Sequence, residues 1–292
     1  MIARFGVFLI WLLHFLPLPI LAAIGNALGM LLYAFATERR KVATVNLHLC
    51  FPELDERKRA ALVRAHFRVF ARCFIERGIL WWSSQTRIQR LIHVVGQEHL
   101  QAVQGEPMII LAPHFVGLDV GGSWMTQYTD IVSMYSSQKN PLFHNLLLRG
   151  RNRFGQQRLY SRQQGLRPVI KAMREGYPFY YLPDQDFDSK DALFIPFFGI
   201  PASTLTTVSR LATMTDARVV PCITRVLPGG QGYEVRFYPA WDHYPTGDLE
   251  ADTRRVNEFI EQRVREIPEQ YFWLHKRFKT RPPGEERGRF YQ

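Results

Sequence analysis

An imidazole and a carboxylate stand five positions apart in MIILAPHFVGLDVGGSW (Met108–Trp124), inside a run whose pattern otherwise asks for core. His114 follows the strand-like stretch Pro107–Ala112, and Gly117, Gly121 and Gly122 permit a tight strand-to-helix turn and close approach of a substrate. With His114 in the loop and Asp119 in the first helical turn, the carboxylate can point back and hold one ring nitrogen protonated. The other nitrogen is then free to act as a general base. A histidine capping a strand and an aspartate near a helix start are also an ordinary structural arrangement. The two residues alone leave both readings open.

Three further clusters carry chemical groups. LLRGRNRFG alternates Arg149, Arg151 and Arg153, a dense group of fixed cations. DQDFDSKD (Asp184–Asp191) begins like a calcium loop, but its sixth position is Ser189 where glycine is needed and its twelfth is Ile195 where glutamate is needed. A phosphatase-type Asp-x-Asp after a strand is the other metal-dependent form. No metal and no cofactor is expected; the preferred reading is an acidic loop, Asp184, Gln185 and Asp186, lining a site. YFWLHKRFKTR sets Tyr271, Phe272 and Trp273 before Lys276, Arg277, Lys279 and Arg281. Aromatics beside cations fit nucleic acid in principle, and equally a segment lying at a membrane interface and facing phosphates. A third reading is a core-packed triplet with a solvated basic end. Ser203, Thr204, Thr206 and Thr207 read as helix N-capping, and no Gly-x-Ser-x-Gly elbow occurs, so a nucleophilic serine is not expected.

The elements that must position these groups follow from the rest of the chain. Its 292 residues, 47% hydrophobic and 22% charged, describe an ordered chain with ample core. Cys50, Cys73 and Cys222 form neither a disulfide framework nor a zinc spacing, which favours a reducing compartment. The net charge of +11 implies an acidic partner: nucleic acid, anionic headgroups or an acidic carrier protein. Residues 5 to 36 contain no Lys, Arg, Asp or Glu, a run longer than the roughly 20 residues that a spanning helix needs. Pro17-Leu18-Pro19 interrupts it, so a single kinked span and a monotopic hairpin are both expected forms of an anchor over residues 1–38. Arg39, Arg40 and Lys41 outweigh Arg4, placing the body, residues 39–292, on the cytoplasmic side. A signal peptide is disfavoured because no small-x-small site ends the first apolar block.

In that body, strands are expected at Leu91–Val95, Pro107–Ala112, Ile131–Tyr135, Tyr177–Leu182, Arg218–Arg225 and Tyr233–Tyr238. Helices are expected over Asp55–Trp82, Gly165–Glu175, Thr206–Thr215 and Asp248–Arg265. The alternation predicts an α/β fold with a mixed, largely parallel sheet flanked by helices, and a site beyond the carboxyl ends of strands.

His-x-x-x-x-Asp after a buried strand resembles the signature of the glycerolipid acyltransferase superfamily. RRKVATVNLHLCFPE (Arg39–Glu53), APHFVGLD (Ala112–Asp119), LPDQDF (Leu182–Phe187), FIPFFG (Phe194–Gly199), TTVSRLA (Thr206–Ala212) and EQYFWLHKRFKTRPPGE (Glu269–Glu285) are similar to one branch of it. That branch is the late (secondary) lauroyl/myristoyl acyltransferases of lipid A biosynthesis, many of which carry Glu in place of Asp119. The resemblance implies that His114 deprotonates the 3-hydroxyl of a hydroxyacyl chain on a phosphorylated glucosamine disaccharide, the lipid A precursor. Asp119 would orient the ring, and the alkoxide would attack the thioester of an acyl-carrier protein, or of acyl-CoA. With no serine elbow, direct transfer is expected over an acyl-enzyme, and Arg151 is the cation expected at the oxyanion. Asp184 and Asp186 are expected to bind sugar hydroxyls or hold an arginine of the 149–153 cluster, and Gln185, Arg149, Arg153, Lys276 and Arg277 are expected on the substrate. The membrane-interface reading of YFWLHKRFKTR is then preferred, at the inner (cytoplasmic) membrane, with no nucleic acid involved. A hydrolase using the same dyad on water is the rival from another class.

Overall fold

The computed structural model describes residues 2–189 and 191–292; Met1 of the expected anchor and Lys190 of the acidic loop lie outside the described residues. Eleven helices and nine strands are found among them. In chain order they are α1 (Ile2–Leu13), α2 (Leu18–Phe35), α3 (Thr37–Cys50), α4 (Glu56–Trp82), α5 (Gln85–Leu91), β1 (Ile92–Val95), α6 (Gln97–Gln101), β2 (Met108–Leu111), α7 (Leu118–Tyr128) and β3 (Val132–Tyr135). Then follow α8 (Pro141–Arg151), β4 (Arg158–Ser161), α9 (Arg167–Arg174), β5 (Phe179–Tyr181), β6 (Ala192–Phe197), β7 (Ile200–Leu205), α10 (Thr207–Thr215), β8 (Arg218–Val226), β9 (Tyr233–Phe237) and α11 (Leu249–Glu266).

Seven strands form one sheet in the order β1-β9-β8-β2-β5-β3-β4, parallel throughout except for the β8–β9 hairpin. The expected mixed, largely parallel sheet is therefore present. Central β2 is buried along its whole length, as its uninterrupted Met-Ile-Ile-Leu requires of a strand covered on both faces. Its side chains alternate between two cores: Ile109 and Leu111 join Phe179, Val219 and Val132 on one face, while Met108 and Ile110 join Val220, Tyr180 and Val235 on the other. Chain order jumps at β2, which has β5 on one side and β8 on the other. That makes the carboxyl end of β2 the crevice of the sheet.

Local chemistry sets the helix starts. The Asp55 carboxylate accepts from Lys58 N at 2.8 Å to open α4, and Asn140 accepts from Leu142 N at 3.0 Å ahead of Pro141 to open α8. Asp248 does the same for α11.

The apolar N-terminal run folds as two helices that both pack against the body. Gly25 and Gly29 let α2 lie directly on α4: a Cβ at either would meet the Arg72 or Arg68 backbone at 2.7 or 2.5 Å. At the other end of α4, Gly78 makes room for Ile10 of α1. Leu18, Leu21 and Ala22 are buried on this seam, whereas Ile20, Ile24, Leu31 and Phe35 of α2, with Phe5, Phe8, Trp11, Leu12 and Phe15 around α1, stay exposed. Helix α2 alone among the described residues is long and apolar enough to cross a membrane.

Candidate active site

His114 sits three residues beyond β2, in the crevice that the strand order creates. Ala112 N extends the ladder to Tyr181 O at 2.8 Å, and Phe272 N and Gln270 O clamp the loop through His114 O (2.9 Å) and Val116 N (2.8 Å). The carboxylate of Asp184 then receives the His114 backbone N–H, at 2.9 and 3.1 Å to its two oxygens, and the ring Nδ1 at 2.7 Å. An ionised carboxylate only accepts, so Nδ1 carries the proton and Nε2 presents its lone pair. Asp184 is buried. Burial alone would raise its carboxyl, but the His114 charge, the hydrogen bonds from His114 and the Tyr271 hydroxyl outweigh it and hold the group below the usual carboxylate range.

The orienting role expected of Asp119 thus falls geometrically to Asp184. Asp119 does lie in the first turn of α7, as expected, but its carboxylate accepts from Arg77 Nε at 2.6 Å and stands 4.0 Å from Arg151 Nη2. Burial pushes the Asp119 carboxyl up; Arg77, then Arg151, pull it down further, so it also ends below the ordinary value. The reason is topological. β5 pairs directly with β2, and Asp184 follows β5 just as His114 follows β2, so the two loop ends meet although 70 positions separate them.

Of the arginine cluster, Arg151 alone faces the reaction space, where it lines a cleft of about 540 Å3 with His114, Tyr135, His144, Arg162 and Gln185. Arg149 is exposed on α8 and does not line that cleft. Arg153 turns away to the carbonyls of Leu80 (2.7 Å) and Ser83, tying α8 to the end of α4. A second, apolar hollow of about 120 Å3 reaches His114 from the α4 side, between Phe70, Phe74, Arg77 and Phe272.

Other expected substrate contacts prove to be internal struts. Asp186 accepts from Thr280 N (3.0 Å) and Oγ1 (2.8 Å), and its own N–H donates to His275 Nε2 at 2.9 Å, which latches the acidic loop to the C-terminal segment. Burial, with Arg277 nearby, pushes His275 down to about 4, as an acceptor ring requires. Asp188 pairs with Arg287. Arg277 is buried and donates to Ser203 O (2.7 Å) and Thr204 Oγ1 (3.0 Å), and Lys276 lies over the Tyr291 ring. Tyr271 and Trp273 are core residues. The segment is therefore not laid on a surface; of the three readings of YFWLHKRFKTR, the packed triplet is the one found, and even Arg277 and Arg281 are buried.

Sequence reasoning missed Arg77, and it read Tyr271 as one of an aromatic triplet without its hydroxyl's contact with Asp184. Arg77 did leave a signal: in CFIERGILWW it is a cation on the apolar half of a long helix, next to the buried Glu76.

The strand-end imidazole backed by a buried carboxylate, with a cation across the cleft, defines a general-base site of the acyl-transfer type. Sequence comparison is specific: the profile described as bacterial lipid A biosynthesis acyltransferase matches residues 1–280, and the chain belongs to that family. It is 34% identical over 282 residues to the lipid A biosynthesis lauroyltransferase of Escherichia coli K12, covering 96% of this chain and 92% of that one. It is also 34% identical over 270 residues to the myristoyltransferase of that organism (91% and 82% covered), and 29% identical over 284 residues to its palmitoleoyltransferase (96% and 92%). Among solved structures it is similar to the 1-acyl-sn-glycerophosphate (LPA) acyltransferase PlsC from Thermotoga maritima, at 15% identity and a TM-score of 0.37, covering 84% of this chain and 97% of that one. The protein is an acyltransferase of lipid A biosynthesis.

Proposed function

We propose that the enzyme transfers a fatty acyl chain of the lauroyl/myristoyl class from acyl-carrier protein to the 3-hydroxyl of a hydroxyacyl chain on a phosphorylated, acylated glucosamine disaccharide. The observation that carries this reading is the free Nε2 of His114 at the cleft, with its Nδ1 held by buried Asp184. Nε2 takes the hydroxyl proton while the oxygen attacks the thioester carbonyl. The tetrahedral oxyanion is met by the Arg151 guanidinium. Its collapse expels the pantetheine thiolate, which recovers the proton from the His114 imidazolium, and Asp184 stabilises that cation throughout. Asp119, neutralised by Arg77, aims Arg151.

The exposed apolar faces of α1 and α2 would enter the cytoplasmic leaflet of the inner membrane, with Arg39, Arg40 and Lys41 at the headgroups and the catalytic body on the cytoplasmic side. Helix α2 shares one whole side with α4, and α4 buries Arg72 and Glu76 in an ion pair. A hairpin seated in one leaflet accommodates that packing; a helix crossing the bilayer would draw a charged helix into hydrocarbon.

The test is purified protein in mixed micelles with lauroyl- and myristoyl-acyl-carrier protein and a disaccharide bearing free hydroxyacyl chains, read by mass spectrometry. One acyl increment is expected, and His114→Ala should lower the rate by roughly 10²–10⁴-fold at unchanged melting temperature. Near-normal transfer by His114→Ala, or free fatty acid released without acceptor as fast as product forms with it, would overturn the reading in favour of another base or a hydrolase.

A further inference from the structure

His114 is reached from two sides. On one lies the cleft of about 540 Å3, which carries Arg151, Arg162, Gln185 and Asp188. On the other lies the hollow of about 120 Å3, where Phe70, Cys73, Phe74 and Arg77 of α4 face Val116 and Phe272. Positions 70, 73, 74 and 77 recur at three and four and share one face of the helix. The linings of the two spaces have His114 in common and no other residue. They also differ in kind. Apart from His114 and the Cys73 thiol, the hollow is apolar but for Arg77, whose guanidinium is engaged with Asp119 at 2.6 Å.

The aromatic walls are held in place. The Phe70 and Phe272 rings stand 6.0 Å apart, and Phe74 stacks on Phe143 of α8 at 6.0 Å. Helix α1 runs beside α4 in a constant register: a Cβ at Gly78 would meet Ile10 O at 2.7 Å, and the His14 ring lies 5.9 Å from that of Trp82. The same register sets Phe5 level with Cys73, and Phe5 and Phe8 are 62% and 51% exposed. The hollow thus opens beside His114 at the height where α1 bares its apolar rings.

We propose that this hollow takes the hydroxyacyl chain of the acceptor, with its hydroxyl against His114 and its alkyl remainder running along Phe70, Phe74 and Phe272 toward the leaflet that receives α1. The inference rests on the acyl-transfer reading above. A hydroxyl on the third carbon leaves a long alkyl tail beyond it. Drawn through water to the base, that tail would lose about 4-fold in binding for each methylene exposed. A path walled by aromatic rings avoids the loss. The amides and hydroxyl of a pantetheine arm suit the polar cleft instead, so donor and acceptor reach the one imidazole by separate routes.

The experiment measures both KM values by mass spectrometry, with purified protein in mixed micelles, lauroyl-acyl-carrier protein and a disaccharide bearing free hydroxyacyl chains. Cys73→Phe fills the hollow and should raise the acceptor KM at least about 10-fold, since two methylenes forced out of apolar contact cost about 4-fold each. The donor KM should stay as in wild type, because the cleft and the hollow share His114 alone. Cys73→Leu should act in the same direction by about 4-fold. An unchanged acceptor KM in a Cys73→Phe enzyme of normal melting temperature, or a rise shared equally by both substrates, overturns the proposal and leaves the acyl-transfer reading standing. So does a rise in the donor KM alone, which would put the donor in the hollow. If Cys73→Phe does not fold, Cys73→Leu decides by the same comparison. A wild-type enzyme that transfers no chain at all overturns the underlying reading instead.

Discussion

Two carboxylates approach one imidazole from different parts of the fold, and they do different things there. Asp184 arrives at the end of β5, is buried, and makes three hydrogen-bond contacts with His114 through its ring and backbone. Asp119 arrives in the first turn of α7, is half-buried, and is occupied by Arg77 and Arg151. The nearer residue in sequence is the one that does not hold the ring. What decides is which strand lies beside β2: a loop leaving β5 emerges next to a loop leaving β2, while a helix that follows His114 directly must first turn away to pack on β8 and β9. In the mechanism proposed above, one carboxylate serves the proton, and the other serves the cation that faces the developing negative charge.

The widest test of this division is Asp184→Asn. An amide can hold the ring in either tautomer, so the fraction of His114 with a free Nε2 falls; a kcat loss on the order of 10³–10⁴ is expected, as for triad aspartates in acyl transfer. The rate with saturating acyl-carrier protein and acceptor measures it. A loss smaller for Asp184→Asn than for Asp119→Asn would reverse the assignment of the two carboxylates.

The division also marks how far the sequence could be read. A histidine at the end of a buried strand was legible as a candidate, although the residues alone left its role open, and the six expected strands and four expected helices all stand within a few residues of their places. The partner of His114 was not legible, because strand adjacency is a property of the assembled sheet: LPDQDF carries the same residue types whether β5 lies beside β2 or at an edge. The β6–β7 hairpin was hidden by Pro196 and Pro201, which face each other across it and demote both strands by local rules. Its Phe198-Gly199 turn, with both φ values positive, is the feature that closes it. In Glu269–Glu285 the residue types were read as an exposed interface, but composition does not record which side of a segment faces the protein. Arg277 is buried because Ser203 and Thr204 of β7 present it with acceptors, and no local pattern announces that.

A smaller effect isolates the cation side. Arg151→Gln removes the charge opposite the thioester while leaving His114 and Asp184 untouched, and a kcat fall of about 10²–10³ is expected, the usual cost of one oxyanion donor. Arg151→Lys should recover part of it, since a lysine supplies the charge without the planar fork. KM for the acceptor should move little. A KM rise with kcat unchanged would move Arg151 from the oxyanion to substrate binding.

The smallest effect distinguishes the carboxylates through stability. The folded-state value of Asp119 is depressed, so in the window between that value and the ordinary unfolded one near 3.9 the unfolded chain binds more protons than the folded one, and stability rises with pH there. The contribution of the Asp119 charge is thus fully present above about pH 5 and is lost as pH falls through the depressed folded value. Wild type and Asp119→Asn, compared by thermal unfolding in detergent across acid pH, should differ most near neutrality and converge as the medium turns acid. The largest opposing charges are Arg77 and Arg151, which stay protonated throughout, so the gap should be nearly level between about pH 5 and pH 8. A gap between wild type and Asp119→Asn that changed steeply between about pH 5 and pH 8 would tie the Asp119 charge to a group other than the two arginines, and the division of labour between the carboxylates would fail.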